Sequence, residues 1–347
     1  MIDIFLSPLF PELNIGLSRQ RLTMHKSHYR WLIRVGALVG LITIITWAWV
    51  PETISNSNCH YQNNAAWISV DWVSTPMDSV NIQWLAESAA SRKLRYLFAY
   101  TSYLKADGTF NPTYNHATEF VTEFRRFNHD TKLLAWIGLP LKNAGFGGIA
   151  GWVDLDNQHT RTQITEFVAE LMEESKFDGV HLDAETVLNH NQSYLLLLEE
   201  VKAVIGPQRI LSIAGSHWLP EALNSLPLVN GTRWTDSYYQ AVAERADQIA
   251  PMTYDSFTST GAFYRLWMRE QVLGISQSLA DSNVELLIGV SVAHENTTSH
   301  RQEVETLQNG LAGICAASGN KVVDGVAIYA DWDFSTEDQA IWNAWQG

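Results

Sequence analysis

The chain has 347 residues, 46% of them apolar and 17% charged, a balance that fits a folded chain and excludes an intrinsically disordered one. Its 37 acidic against 23 basic residues, a formal charge of −14, argue against nucleic-acid binding, because no counterion release at a phosphate backbone would drive it. Two cysteines exclude a disulfide-dense scaffold and a Cys-rich zinc module, while 14 Trp, 12 Tyr and 13 Phe supply rings for a large core and for a binding cleft.

Residues 1–30 form a basic N-terminal region. The sixteen residues from Val35 to Val50, VGALVGLITIITWAWV, carry no charge, and Trp31, Leu32 and Ile33 extend the run to twenty if Arg34 snorkels toward the interface. Arg19, Arg21, Lys26 and Arg30 precede it. This order predicts a signal peptide or a signal-anchor transmembrane helix over 31–50 with its basic side cytoplasmic. Thr46-Trp47-Ala48 offers a cleavage site, the run length suits an uncleaved anchor, and Met24 offers a second start. Residues 51–64 read as a linker. The remainder is expected to be extracytoplasmic, either secreted or held at the membrane through 31–50.

From residue 65 onward, short β-rich runs alternate with helical stretches. The strands are expected at Ala66–Asp71, Leu94–Tyr100, Lys132–Gly138, Gly179–Glu185, Ile210–Ala214, Gln248–Tyr254, Glu285–Val292 and Gly325–Ala330. Ile164, Phe167, Val168, Leu171 and Met172 lie at i, i+3, i+4, i+7, i+8, one apolar helix face, and Tyr194–Val204 is a similar helix stopped by Gly206-Pro207. Eight such units predict an α/β fold, a (β/α)8 TIM barrel over 65–347 as a single domain. A doubly wound open sheet is the rival, but no phosphate-binding glycine loop follows an early strand. The glycine-rich stretch Gly145–Gly151 reads as a rim loop.

In a barrel of this kind the chemistry sits where the strands end. Those positions hold Asp71 and Trp72, Tyr100 and Tyr103, Trp136, Asp183 and Glu185, His217 and Trp218, Tyr254 and Asp255, His294 and Glu295, and Tyr329, Asp331 and Trp332. Acids and rings with few bases suit a neutral, polyhydroxylated ligand. On the fourth strand, Asp178-Gly-Val-His181-Leu-Asp183-Ala-Glu185, period-two alternation turns His181, Asp183 and Glu185 to one face. Two carboxyl groups sharing a partly dry mouth cannot both ionise easily. One is left protonated near neutral pH, as protonation of a glycosidic oxygen requires.

This strand resembles the signature of glycoside hydrolase family 18, the chitinases and endo-β-N-acetylglucosaminidases, which runs Asp-Gly-x-Asp-x-Asp-x-Glu. Met252-Thr253-Tyr254-Asp255 resembles the family's sixth-strand element and Gly325–Tyr329 its closing strand. The resemblance implies a glycosidase that cleaves β-linked N-acetylglucosamine glycans with retention, the substrate's own acetamido oxygen attacking the anomeric carbon. It implies Glu185 as the acid and then the base, and Asp183 as the anion that steadies the acetamido group. Tyr254 would donate to the acetamido oxygen, and Asp255 would help to fix the sugar. Asp178, His181, Asp71, Trp72, Tyr100, Trp136, Trp218, Met252, Tyr329 and Trp332 are the expected substrate-binding residues, with no cofactor or metal. The chain departs from the family at His181, which replaces its middle Asp, at Trp136-Ile137-Gly138-Leu139, which replaces a Ser-x-Gly-Gly element, and at Tyr329, which replaces a Trp. A protonated His181 would lower the carboxyl pKa values, whereas a neutral one would orient Asp183 by a hydrogen bond.

Two rival readings follow from the same residues. A carbohydrate-binding barrel would keep the rings without turnover. A metal-dependent hydrolase would recruit His181, Asp183, His217, Asp255 and His294, although the sequence lacks both His-x-His on the first strand and His-Glu-x-x-His on a helix. Cys59 and Cys315 would fall near each other at the lower rim of a closed barrel, as a disulfide or as two unrelated thiols. Asn191, Asn230 and Asn296 begin glycosylation triplets.

Overall fold

A computed structural model describes residues 50–51, 59–142, 151–224, 231–317 and 323–346. Eight parallel strands close into a barrel in sequence order. They are β1 (Asn64–Ile68), β2 (Leu94–Tyr103), β3 (Lys132–Pro140), β4 (Gly179–Glu185), β5 (Ile210–Gly215), β6 (Gln248–Pro251), β7 (Glu285–Ser291) and β8 (Gly325–Tyr329). Closure is made by β1 pairing with β8, Ala65 opposite Ala327 and Ala66 opposite Ile328, which rules out the open doubly wound sheet. Each strand leads to a helix on the outside: α1 (Ser79–Ser91), α2 (Ala117–Phe127), α3 (Gln158–Ser175), α4 (Gln192–Ile205), α5 (Asp236–Ala243), α6 (Gly261–Ser278), α7 (Leu307–Ala316) and α8 (Thr336–Gln346).

The alternation read from the sequence divides the core into two layers. Val180, Leu182 and Ala184 of β4 point outward into the shell between sheet and helices, with Ile164, Val168, Leu171 and Met172 of α3 facing them from the other side. Residues of opposite parity fill the barrel interior, among them Trp67, Phe98, Leu134, Trp136 and Leu287. Gly179 opens β4 because a Cβ there would lie 2.0 Å from the carbonyl oxygen of Ile210. Gly206, with φ +79°, ends α4 as its sequence predicts.

Strand ends are where expectation and structure part. The first strand stops at Ile68, and Asp71 opens a four-residue helical turn, Asp71–Ser74. β6 stops at Pro251 rather than Tyr254: the Thr253 N–H turns back to the Pro251 carbonyl at 2.9 Å, and positive φ follows at Asp255 and Phe257. The basic region and the apolar run expected as a signal or anchor fall almost wholly outside the described residues, as do half of the 51–64 linker, nearly all of Gly145–Gly151, and Asn230. Among the described residues no helix is long and apolar enough to cross a membrane. Cys59 and Cys315 form a disulfide, joining the segment before β1 to the last turn of α7.

Candidate active site

The register of β3 against β4 builds the centre of the site. Trp136 pairs with His181, Gly138 with Asp183 and Pro140 with Glu185, so the fourth-strand acids emerge at the C-terminal rim beside the β3 aromatics. The peptide bonds Glu185–Thr186 and Tyr329–Ala330 are cis. Asp183 Oδ2 accepts the Trp136 indole N–H at 2.9 Å, and its buried Oδ1 meets no donor among the described residues. Burial pushes the Asp183 carboxyl up, while the Trp136 N–H pulls the other way. Glu185 is pushed well above the ordinary glutamate range, first by the charge of Asp183 and then by burial, with Asp255 adding to the effect. Its carboxyl faces open cleft, yet protein surrounds it closely enough to hinder hydration of the anion. Two neighbouring carboxyls cannot both ionise easily, and the larger upward push falls on Glu185, so a proton shared by the pair favours Glu185.

A cleft of about 750 Å³ runs from this pair across the β1–β3 side of the rim, lined by Asp71, Tyr100, Tyr103, Trp136, Trp152, Tyr329 and Trp332 among others. Trp152 and Trp332 keep 43% and 49% of their surface exposed, enough to offer ring faces to a ligand. A second hollow of about 250 Å³ on the β5–β6 side shares Glu185 and is lined by Met252, Tyr254, Asp255 and His217. A third, of about 460 Å³, shares Tyr254, Asp255, Tyr329 and Trp332 with His294, Glu295 and His300. Tyr254 stacks on Tyr329, centroids 5.1 Å apart, and both stand edge-on to Trp67 below. Burial first, then the neighbouring Tyr329 and carboxylates, raise the Tyr254 hydroxyl well above its usual value, so it remains a hydrogen-bond donor.

Asp183, Glu185, Tyr254, Asp255, Asp71, Tyr100, Trp136, Met252, Tyr329 and Trp332 thus line this connected set of hollows. Four expected binding residues do not. Asp178 sits at the opposite end of β4, accepting from the Leu133 backbone N–H at 2.8 Å and from Arg125 at 2.6 Å, where it ties the strand bottoms together. Trp72 packs outward against Phe120. Trp218 donates to Asp236 at 2.9 Å and lies against Gly274, where a Cβ would sit 2.2 Å from its ring.

His181 is wholly buried beneath the site, and among the described residues its ring nitrogens bond no carboxylate. Its Nε2 accepts the Trp67 indole N–H at 3.0 Å, so Nδ1 carries the proton and donates to Ser212 Oγ at 2.8 Å. Ser212 donates to Gln248, and Gln248 to Glu285 at the barrel floor. The imidazole stacks on Phe98 at 4.0 Å, and burial pushes it down to about 3. It is neutral, and neither of the two couplings to Asp183 considered from sequence is present.

Two histidines of the metal-binding rival are committed to other partners. Both His181 nitrogens are engaged, and His217 Nε2 donates to the Tyr254 carbonyl at 2.8 Å. Asp255 groups instead with His300 and Glu305, one polar atom of each lying within 4.8 Å of the others, and there the Glu305 carboxylate is already engaged by His300 Nδ1 and the Asp255 backbone N–H. Sequence reasoning missed Trp67, Trp152, His300 and Glu305. Trp67 is signalled by its inward parity on β1, whereas the others stand on loops without periodicity.

The fold and the rim define a class: an eight-fold parallel barrel with an acid pair where its strands end. Residues 69–344 match the sequence model of glycosyl hydrolases family 18, and the chain belongs to that family. Among solved structures it is similar to the spore cortex-lytic enzyme SleL of Bacillus cereus, at 13% identity and TM-score 0.53 over 82% of this chain and 74% of that one. SleL of Bacillus megaterium QM B1551 gives 12% identity and TM-score 0.54 over 83% and 75%. A class V chitinase from Pseudomonas fluorescens Pf-5 gives 14% and 0.53 over 82% and 100%. At these identities the likeness is one of fold. No curated protein matches the sequence.

Proposed function

We propose that this protein hydrolyses β-linked N-acetylglucosamine-containing glycans, of chitin, N-glycan or peptidoglycan type, with retention and through the substrate's own acetamido group. The observation that carries the reading is Glu185: a carboxyl beside Asp183, whose charge pushes its pKa upward, and open to the large aromatic cleft. In the first step Glu185 gives its proton to the bridging oxygen while the acetamido oxygen attacks the anomeric carbon and the bridging bond breaks. Asp183, acting as an anion, accepts from the acetamido N–H and steadies the positive charge that develops there. Tyr254 donates to the acetamido oxygen, and Asp255 grips the sugar. Glu185, now a carboxylate, then takes a proton from the water that opens the cyclic intermediate.

Stacking on Trp152, Trp332, Tyr100 and Tyr103 would supply sugar affinity without charge. The extracytoplasmic placement, secreted or held through residues 31–50, is part of the same proposal. The Cys59–Cys315 bridge supports it, since disulfides persist in oxidising compartments. Product analysis on chitin oligomers, an N-glycan core and peptidoglycan, comparing the wild type with Glu185→Gln, is the test. Retained anomeric configuration is expected for the wild type, with turnover about 10²–10⁴-fold lower in the variant. Sugar binding without turnover by the wild type would identify a carbohydrate-binding barrel instead.

A further inference from the structure

The turn that carries Asp255 is held from behind by one buried carboxylate. Glu305, in the segment leading into α7, is 1% exposed. Its Oε2 accepts the Asp255 backbone N–H at 2.7 Å and faces His300 Nδ1 at 3.1 Å. Its Oε1 accepts the Ser256 N–H at 2.9 Å and the Ser256 hydroxyl at 2.7 Å. Asp255 and Phe257 both lie in the left-handed region, φ +57° and +58°, which non-glycine residues keep only where their surroundings enforce it. An anion accepting from Asp255 and Ser256 is such an enforcement at the first of these positions, and the Ser299 carbonyl, accepting the Phe257 N–H at 2.9 Å, holds the second.

His300 completes the arrangement. Its Nε2 points at the Ala293 carbonyl at 3.2 Å and its Nδ1 at Glu305, so both ring nitrogens face acceptors, the environment of an imidazolium. Nδ1 is also 3.6 Å from Asp255 Oδ1. The ring is 3% exposed, and the other titratable groups around it, His294, Glu295 and Asp333, line the hollow it borders.

We propose that Glu305, paired with His300, is the positioning residue for Asp255: the buried ion pair fixes the left-handed turn after β6 and so sets where the Asp255 carboxylate stands beside Glu185. This rests on the reading above in which Asp255 grips the sugar. A glutamine cannot replace Glu305, because its NH₂ would face either the Asp255 and His300 donors or the two Ser256 donors. The charges act in opposite senses. Burial and then Glu305 raise the Asp255 carboxyl, while His300 lowers it.

The experiment follows Asp255 by NMR, using its Cα and Cβ shifts for φ and its carboxyl carbon for titration, alongside steady-state kinetics. Wild type is compared with Glu305→Gln, His300→Gln and the control Asn309→Ala. Asn309, on α7, donates to the Val304 carbonyl and accepts from Arg265 of α6, and among the described residues it makes no hydrogen bond to Asp255, Ser256 or His300. Glu305→Gln is expected to lose the left-handed shifts, to lower the Asp255 titration, and to raise KM about tenfold with a smaller change in kcat. His300→Gln is expected to move the titration upward, a change of opposite sign that loss of stability alone does not produce, and it stands as the test if Glu305→Gln does not fold. Asn309→Ala should lose stability and leave all of these readouts in place. Unchanged Asp255 shifts and titration in Glu305→Gln, or an unmoved titration in His300→Gln, overturn the proposal. A wild type that cleaves no glycan, with Asp255 moving as described, overturns the proposed function and leaves the positioning role standing.

Discussion

Trp136 on β3 donates its indole N–H to Asp183 on β4 at 2.9 Å, although the strand register pairs Trp136 with His181 and Asp183 with Gly138. The indole therefore reaches diagonally toward the rim and takes one lone pair of a carboxylate whose other oxygen is buried without a donor among the described residues.

Removing that donor tests what the indole does. Trp136→Phe keeps most of the ring in the cleft and takes away the N–H that opposes the rise of the Asp183 carboxyl. The shared proton should then move toward Asp183, leaving less anion to steady the developing charge. A loss of about 10–100-fold in kcat is expected, with a smaller change in KM, because the interaction matters most in the transition state. A variant that loses only affinity would show Trp136 to be a stacking surface and nothing more.

Asp183 is the first cause of the upward shift at Glu185, and pH dependence follows from that sign. Catalysis by Glu185 as an acid requires its proton, so the alkaline limb of kcat/KM reports where Glu185 ionises. Asp183→Asn removes the neighbouring charge and should move this limb to lower pH, while kcat falls because the anion is gone. Profiles of wild type and variant on one chromogenic N-acetylglucosaminide decide the matter. An alkaline limb that stays in place would mean that burial alone holds the proton.

The barrel and the acid pair were legible because period two on β4 is a local property: Val180, Leu182 and Ala184 had to face one layer, and His181, Asp183 and Glu185 the other. What lay beyond reach were partners supplied by distant elements. Asp178 belongs to the same motif as Glu185, but Arg125 and the Leu133 N–H claim it at the far end of the strand. Trp218 sits just past a strand end, yet Asp236 and Gly274 draw it off the rim. Glu305 lies fifty residues from Asp255 on a loop without periodicity, and only the fold brings its carboxylate against that turn.

His181 is neutral because burial opposes its charge and because Trp67 already donates to Nε2. Nitrogen-15 NMR should show one Nδ1–H tautomer that does not titrate between about pH 5 and 9, given an ordinary histidine pKa near 6.5. Its folded-state pKa is lowered to about 3, so its contribution to stability is complete above the unfolded value and is lost as pH falls from there toward 3. His181→Asp would place an anion beside Phe98 with the Trp67 and Ser212 contacts broken or strained. It should lower Tm by several degrees, on the order of 5 °C, rather than improve turnover. A titrating His181 near pH 6, or a faster His181→Asp enzyme, would contradict this account.

The Cys59–Cys315 bridge closes a loop of 256 residues and lies at the N-terminal rim of the barrel, opposite the acid pair. Such a cross-link acts chiefly by restricting the unfolded chain, and a long loop brings its effect toward the upper end of the usual range, about 2–4 kcal/mol. Both ends hold elements that close the barrel: Cys59 leads into β1, which pairs with β8, and Cys315 ends α7, which precedes it. Cys59→Ser with Cys315→Ser should therefore lower Tm by on the order of 10 °C, while kcat at a temperature where both forms are folded stays unchanged. Calorimetry of the oxidised protein, the double variant and the reduced wild type gives the comparison. The reduced wild type should match the variant. A fall in kcat at equal folded fraction would show instead that the lower rim communicates with the catalytic face, through the β1 segment that carries Trp67.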